Sequence, residues 1–166
     1  MTTTTSRFDA SELEQRAATM PDEGMDVTRS WFDTWNRGDL DSFISLYAAD
    51  AVVTPPASWI ETGTLKGRPA IRRFFEGLRA SWAGRDEAVL RELFRAGDRV
   101  VSRMDWQVRG RASDIETQIE VSNVNTILDG RIVRQRHYLE HAEAPQSARS
   151  RGVAAPRFAR SSRARR

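Results

Sequence analysis

The sequence contains no cysteine among its 166 residues. This excludes a disulfide framework, a thiolate nucleophile and a cysteine-ligated metal site, and it fits a reducing cytoplasm. No apolar run approaches the roughly 18 residues that would span a bilayer. The first residues, Met1 to Ser6, lack the basic start and apolar stretch of a signal peptide. We therefore expect a cytoplasmic protein with no membrane partner.

Lysine is almost absent as well, since Lys66 stands alone beside 25 arginines. The positive charge lies at one end of the chain. Residues 1–142 hold 19 Lys and Arg and 22 Asp and Glu, a net charge of −3, whereas residues 143–166 hold seven arginines and one glutamate, a net charge of +6. A segment so rich in Arg, Ala and Ser cannot bury a core, so we predict a disordered basic tail over 142–166. We expect this tail to be solvated, and nucleic-acid binding through it is the less favoured alternative.

Hydrophobic spacing divides the rest of the chain into helices and then strands. Helical spacing predicts an accessory helix over 8–19, helices over 25–37 and from Asp39 to Tyr47, and a helix from Pro69 to Trp82. Strands are predicted at 51–54, in a hairpin around Gly63, and then at 88–96, 99–109, 114–128 and 131–141. This order predicts an α+β fold with helices packed on one face of a curled antiparallel sheet. We expect one domain over 25–141, preceded by an extension over 1–24.

The strand over 114–128 has polar side chains on its apolar face. Its odd-numbered residues from Ile115 to Ile127 are mostly apolar, but they include Asn123 and Asn125. A buried amide without partners costs about 1–3 kcal/mol. The two asparagines therefore need either a polar network or a ligand.

The strand over 99–109 places Arg103 and Asp105 on one face, because residues two apart point the same way. The even face is the more apolar, and its residues are Val100, Met104, Trp106 and Val108. Composition therefore favours a surface position for Arg103 and Asp105. In the interior they would instead form a buried ion pair, and removing either residue would leave the other charge buried without a partner.

Five stretches between residues 25 and 141 carry a family resemblance. They are Trp31–Asp41, Tyr47–Val53, Gly67–Ile71, Asp129–Val133 and Arg136–Glu140. Together they resemble the superfamily named after nuclear transport factor 2, which includes the SnoaL-like polyketide cyclases, ketosteroid isomerase and limonene epoxide hydrolase. The resemblance implies a cone-shaped barrel of three helices on a curved, mainly antiparallel sheet, with one pocket for an apolar small molecule.

The same resemblance implies a catalytic set. Arg103 and Asp105 match an Arg-x-Asp pair that faces the pocket of limonene epoxide hydrolase. An acid/base residue of the SnoaL-like cyclases falls near His137, so His137 and Asp105 could move a proton next to a carbonyl, with Arg103 beside them. The positions that hold the attacking water of the hydrolase fall at Val53 and Pro55, which cannot hold a water.

Further residues are implied as the substrate-binding lining of the pocket. They are Trp31, Trp35, Tyr47, Trp59, Val121, Asn123, Asn125, Gln135 and Leu139. The implied chemistry is cyclisation, isomerisation or epoxide opening without a cofactor or metal. The alternative is a binding or dimeric interaction module of the same fold with no catalytic activity, which the residues at Val53 and Pro55 favour.

With Arg103 and Asp105 in the pocket, the apolar side chains of Met104, Trp106 and Val108 would lie on the outside of the sheet. An exposed apolar face indicates a partner. The resemblance implies a homodimer formed through this outer sheet face.

Overall fold

The computed structural model describes residues 22–59, 63–84 and 86–139. These residues form three helices and six strands. In chain order they are α1 (Glu23–Arg37), α2 (Leu40–Ser45), β1 (Tyr47–Thr54), β2 (Leu65–Lys66), α3 (Arg68–Ala80), β3 (Glu87–Ala96), β4 (Arg99–Arg109), β5 (Glu116–Leu128) and β6 (Arg131–Leu139).

The six strands form one sheet in the order β2-β1-β6-β5-β4-β3. Every neighbouring pair is antiparallel except β1 and β6, which run parallel. The helices lie against one side of this sheet, with α1 over β3 to β5 and α3 over β1 and β2. The predicted α+β class, three helices packed on a mostly antiparallel sheet, is confirmed.

Two aspartates and one glycine set the turn between the first helices. Asp22 caps α1 by accepting from the backbone N–H of Met25, and Asp39 caps α2 by accepting from that of Ser42. Gly38 ends α1 with a left-handed φ of 75°. The helix predicted to reach Tyr47 in fact ends at Ser45, and Tyr47 opens β1 with its side chain fully buried.

The register of the sheet decides which face of β4 meets the helices. Met104 lies opposite Val121 and Trp106 opposite Ile119, whereas Asp105 lies opposite Glu120. Because paired residues share a face, the apolar odd residues of β5 bring the even residues of β4 to the inside. The expectation that Arg103 and Asp105 face the pocket is therefore wrong, as is the placing of Met104, Trp106 and Val108 outside. Composition predicted the correct face, but Arg103 and Asp105 are buried there and do not have the exposed position that was expected.

The outer face of the sheet combines ion pairs with a small apolar cluster. Arg103 donates to Glu92 at 3.1 Å, and Asp105 accepts from Arg91. The cluster consists of Val101, Val124, Phe94, Ala96 and Tyr138. The outer face thus lacks the apolar stripe from which a homodimer was argued, and the homodimer stays a prediction.

Several predictions fall on residues outside the described ranges. They concern the helix over 8–19, part of the hairpin before Gly63 and the basic tail, so the domain limits also stay predictions. Within residues 22–59, 63–84 and 86–139, no helix combines the length and the apolar character needed to cross a bilayer.

The face assignment of β4 predicts unequal effects of two truncations. Met104→Ala should lower the free energy of unfolding by about 2–5 kcal/mol, because it removes a buried side chain from the core. Gln107→Ala, at an exposed position of the other face, should change it by less than about 0.5 kcal/mol. Urea unfolding followed by circular dichroism measures both, and equal losses would contradict the assignment.

Candidate active site

The inner face of β5 and β6 brings four of the predicted polar residues together. Asn123 lies directly opposite His137, and Asn125 lies opposite Gln135. All four side chains are buried. They form a polar stripe beneath the aromatic side chains of α1 and α3.

His137 is held by Asn123 in a defined protonation state. Its Nδ1 lies 2.6 Å from Asn123 Oδ1, and the Asn123 amide nitrogen faces the sulfur of Met104 at 3.9 Å. An amide oxygen only accepts, so Nδ1 carries the proton and Nε2 keeps its lone pair. Burial lowers the pKa of His137 to about 4, so the ring is neutral at neutral pH. Nε2 itself is buried and has no hydrogen-bond partner among the described residues.

His137 forms part of the wall of a small space, which we call the aromatic cavity. Its other lining residues are Trp31, Trp35, Trp59, Phe74, Phe75, Leu78, Met104, Trp106 and Val121. The cavity volume is about 20 Å³, which is room for about one water molecule. The space is therefore apolar, with the His137 imidazole as its single titratable wall.

A hydrogen-bonded chain behind the cavity fixes Trp31. Its indole N–H donates to the Tyr47 hydroxyl at 2.8 Å, and that hydroxyl donates to Gln135 Oε1 at 2.5 Å. Burial raises the pKa of Tyr47 beyond the range in which it could ionise. Tyr47 and Gln135 thus support the cavity wall but do not line the cavity. This differs from the prediction that they contact the substrate.

Asn125 lies deeper still, away from the cavity. Its amide nitrogen donates weakly to Thr28 Oγ1 at 3.4 Å. Asn125 Oδ1 and Gln135 Nε2, on directly opposed residues, are both buried without a hydrogen-bond partner in the described part of the chain. This acceptor and this donor therefore lie on cross-strand neighbours of one face of the sheet.

Asp86 anchors two further tryptophans, and the sequence analysis did not identify it. Its Oδ2 accepts from the indole N–H of Trp35 at 2.9 Å and from that of Trp106 at 2.8 Å. Arg79 completes the arrangement, with Nε 3.7 Å from Asp86 Oδ1 and its guanidinium 4.0 Å above the Trp35 ring. The partners are 51 and 20 residues away along the chain, so no local pattern points to this carboxylate.

The remaining predicted site residues lie apart from this cavity. Leu139 packs, partly buried, on the main core. Arg103 and Asp105 lie on the outer face of the sheet, so Asp105 and His137 form no acid/base pair. Four residues that line the aromatic cavity were predicted elsewhere or were not singled out from the sequence, namely Met104, Trp106, Phe75 and Leu78.

An open groove of about 600 Å³ lies next to the aromatic cavity. We call it the Pro55 groove. It is lined by Thr54, Pro55, Pro56, Ala57, Trp59, Gly63, Thr64, Arg136, His137 and Tyr138. The groove begins where β1 stops pairing with β6, at Thr54 opposite Arg136. Two consecutive prolines end β1 there because a proline has no N–H for the next sheet hydrogen bond.

The Asp86 anchor predicts a large loss of stability on its removal. Asp86→Ala should lower the free energy of unfolding by about 3–5 kcal/mol, because two buried indole N–H groups and Arg79 lose their acceptor. Glu87→Ala is the matched control at the adjacent exposed residue and should change it by less than about 0.5 kcal/mol. Urea unfolding followed by circular dichroism gives both values. An Asp86→Ala variant as stable as the control would show that the anchor contributes little.

Comparison with solved structures identifies the same fold in proteins of low sequence identity. TerC, co-crystallised with polyporic acid, is 18% identical with a TM-score of 0.64, over 72% of this chain and 93% of TerC. An NTF2-like protein of unknown function from Burkholderia pseudomallei is 21% identical with a TM-score of 0.65, over 74% and 95%. A protein from Sinorhizobium meliloti named as a candidate polyketide cyclase is 25% identical with a TM-score of 0.56, over 73% and 97%.

Comparison by sequence locates the chain in a family. No curated protein matches it. The family model of the SnoaL-like domain matches residues 28–135. This range includes α1 from Thr28 onward and every residue of the cavity wall except His137. The chain therefore belongs to the SnoaL-like domain family and has the NTF2-like fold.

Proposed function

We propose that the chain binds a flat, largely apolar molecule with an acidic C–H next to a carbonyl, and that His137 catalyses its cyclisation or isomerisation without a cofactor. The observation that carries the proposal is the neutral imidazole of His137. Its Nδ1 is held by Asn123, and its Nε2 is buried at the wall of an apolar cavity and has no hydrogen-bond partner within residues 22–59, 63–84 and 86–139. A lone pair withheld from water is suited to accept a proton or a hydrogen bond from a bound molecule.

The proposed reaction begins with proton transfer from carbon. His137 Nε2 takes the proton, the C–H bond breaks, and its electron pair moves toward the carbonyl oxygen to form an enolate. The imidazolium that forms is stabilised at Nδ1–H by Asn123 Oδ1. In an isomerisation, it then returns the proton to a different carbon. In a cyclisation, the enolate carbon forms a bond to a second carbonyl carbon of the same molecule, the π electrons of that C=O move to its oxygen, and the imidazolium protonates this oxygen. Either step restores the neutral ring. Because its pKa is only about 4, His137 is a weak base, so the reaction requires a fairly acidic C–H.

Two of the structural neighbours support a small-molecule site in this fold. TerC was crystallised with polyporic acid, and the Sinorhizobium meliloti protein is named as a candidate polyketide cyclase. Epoxide opening has less support, since Arg103 and Asp105 lie on the outer face. Binding without catalysis is the second candidate function, and the small volume of the aromatic cavity favours it.

The partner and the location are further parts of the proposal. We expect the homodimer to form through the outer sheet face, where Phe94, Ala96 and Tyr138 of the apolar cluster are partly exposed. The absence of cysteine remains the basis for expecting a cytoplasmic location.

Proton abstraction by His137 can be tested without knowing the natural substrate. In D₂O the full chain should accelerate exchange of the C1 protons of 2-tetralone, which lie between a carbonyl and an aromatic ring. His137→Gln should slow this exchange by about 100-fold or more, because the amide has no basic nitrogen. Loss of the C1 signal in proton NMR spectra measures the rate.

The matched control in this experiment is Asp105→Asn. Asp105 lies on the outer face, so the variant should exchange at the wild-type rate. Exchange by His137→Gln at the wild-type rate would refute the proposed base. A wild-type chain that binds 2-tetralone but does not exchange its protons would favour the non-catalytic function.

The neutral state of His137 also predicts how stability depends on pH. Its pKa is about 4 in the folded chain and 6.5 in its ordinary state, so between these values the unfolded chain binds more protons. The free energy of unfolding contributed by this group should therefore fall by about 3 kcal/mol as the pH drops from 7.5 to 4. His137→Gln should lack this fall, so the gap between the two chains changes with pH. Urea unfolding of both at the two pH values tests this, and parallel pH profiles would contradict a buried neutral His137.

A further inference from the structure

Two short chains of hydrogen bonds connect α1 to the inner face of the sheet. The first begins at Trp31, whose indole N–H donates to the Tyr47 hydroxyl at 2.8 Å. An indole nitrogen only donates, so the hydroxyl uses its own proton on Gln135 Oε1 at 2.5 Å. With Oε1 engaged in this way, the Gln135 amide keeps Nε2 as a donor. This nitrogen is buried and has no hydrogen-bond partner in the described part of the chain.

The second chain begins one helical turn earlier, at Thr28. The Thr28 hydroxyl donates its proton to Gly24 O at 2.9 Å. Its oxygen can then only accept, so the contact of 3.4 Å with Asn125 uses the amide N–H as the donor. Asn125 therefore keeps Oδ1 as an acceptor, and this oxygen is also buried without a partner within residues 22–59, 63–84 and 86–139.

The donor that ends the first chain and the acceptor that ends the second lie on directly opposed residues. Gln135 of β6 pairs with Asn125 of β5, and both side chains are on the inner face of the sheet. The Cβ atoms of such a pair lie about 4.5–5.5 Å apart. Both amides can therefore reach one molecule bound between them, and bridging is favoured because buried polar atoms without partners are destabilising.

The chemistry of the two atoms defines the bridging group. It must accept a hydrogen bond from Gln135 Nε2 and donate one to Asn125 Oδ1. A metal cation cannot accept, and an anion without a proton cannot donate, whereas water does both. Gln135 and Asn125 line neither the aromatic cavity nor the Pro55 groove, so the group is separate from any ligand bound there. Buried waters in proteins typically bind two to four polar groups in such positions.

We propose that one buried water molecule binds between Asn125 Oδ1 and Gln135 Nε2 and joins the two chains into a ring of hydrogen bonds that begins and ends on α1. The donors follow one direction through this ring, from Trp31 through Tyr47, Gln135, the water and Asn125 to Thr28. Hydrogen bonds in such a sequence polarise and strengthen one another. Because Trp31 lines the aromatic cavity, the water is a structural ligand that positions a wall of that cavity. The inference does not depend on the proposed catalysis, since the water site needs no substrate.

A crystal structure of the full chain tests the site directly, without any variant. We expect electron density for one water molecule about 2.7–3.2 Å from both Asn125 Oδ1 and Gln135 Nε2. A direct hydrogen bond between the two amides would overturn the proposal. So would the absence of density within this distance of both atoms.

In solution, the bound water should give a cross-peak to the Gln135 Nε2 protons in a ROESY spectrum of ¹⁵N-labelled chain. A long-lived bound water produces a peak opposite in sign to one produced by proton exchange, so the two origins are distinguishable. Asn125→Leu removes the acceptor of the water and should abolish the peak. Ser102→Ala is the matched control, because it deletes another buried polar group of the same sheet face, and it should keep the peak. A wild-type chain without the peak, or an Asn125→Leu variant that retains it, would contradict the water site.

The positioning of Trp31 by this water is measured through exchange of the indole N–H protons for deuterium. Asn125→Leu should speed exchange at Trp31 by about threefold or more relative to Trp35, because Gln135 loses one of its hydrogen bonds. Trp35 lies one turn further along α1 and outside the ring, so a general loss of stability would speed both indoles alike. Ser102→Ala should leave the ratio of the two rates at its wild-type value. The same ratio in Asn125→Leu would show that the water does not position Trp31.

Discussion

The cavity is built around one buried carboxylate. Asp86 is 5% exposed, and a carboxylate so far from water is costly unless strong donors surround it. The indole N–H groups of Trp35 from α1 and Trp106 from β4 supply two of them, and Arg79 from α3 supplies the charge. One side chain thus fixes a helix, a strand and a second helix relative to one another. Asp86 holds both indoles by their N–H groups, and Trp35 and Trp106 both line the cavity.

The register of the sheet fixes the orientation of His137. Asn123 is directly opposite it, so the amide oxygen reaches Nδ1 without any flexible loop. An amide in this position orients the imidazole as a carboxylate would, but it adds no negative charge to raise the pKa of the ring. Burial therefore dominates and the pKa falls to about 4. His137 is therefore neutral over the whole physiological pH range. The low pKa also makes it a weak base, so it can take a proton only from a substrate whose C–H is already acidic.

Much of the fold was predictable because its signals are local. Hydrophobic periodicity and the Gly38–Asp39 turn located the helices, and the strand over 99–109 has the predicted bounds. The site depends on pairings between distant residues, which periodicity does not contain. Composition placed Arg103 and Asp105 on the correct face of the sheet, although both are buried there. The resemblance implied the opposite face, because a matching Arg-x-Asp spacing carries no information on register. Asp86 left no signal, since its partners become neighbours only after the chain has folded. Asn123 was recognisable as a polar residue on an apolar face, but the sequence did not show that His137 lies opposite it.

The two prolines that follow β1 have a structural consequence for His137. A residue with an N–H could let β1 continue alongside β6 past Arg136 and cover His137 from that side. Pro55 and Pro56 cannot donate, so the strand pairing stops at Thr54 and the chain turns toward Trp59. Pairing therefore ends one residue before His137, and the groove that follows is lined by His137 itself. The proposed proton transfer needs such an approach, because a base closed off on every side cannot reach a substrate.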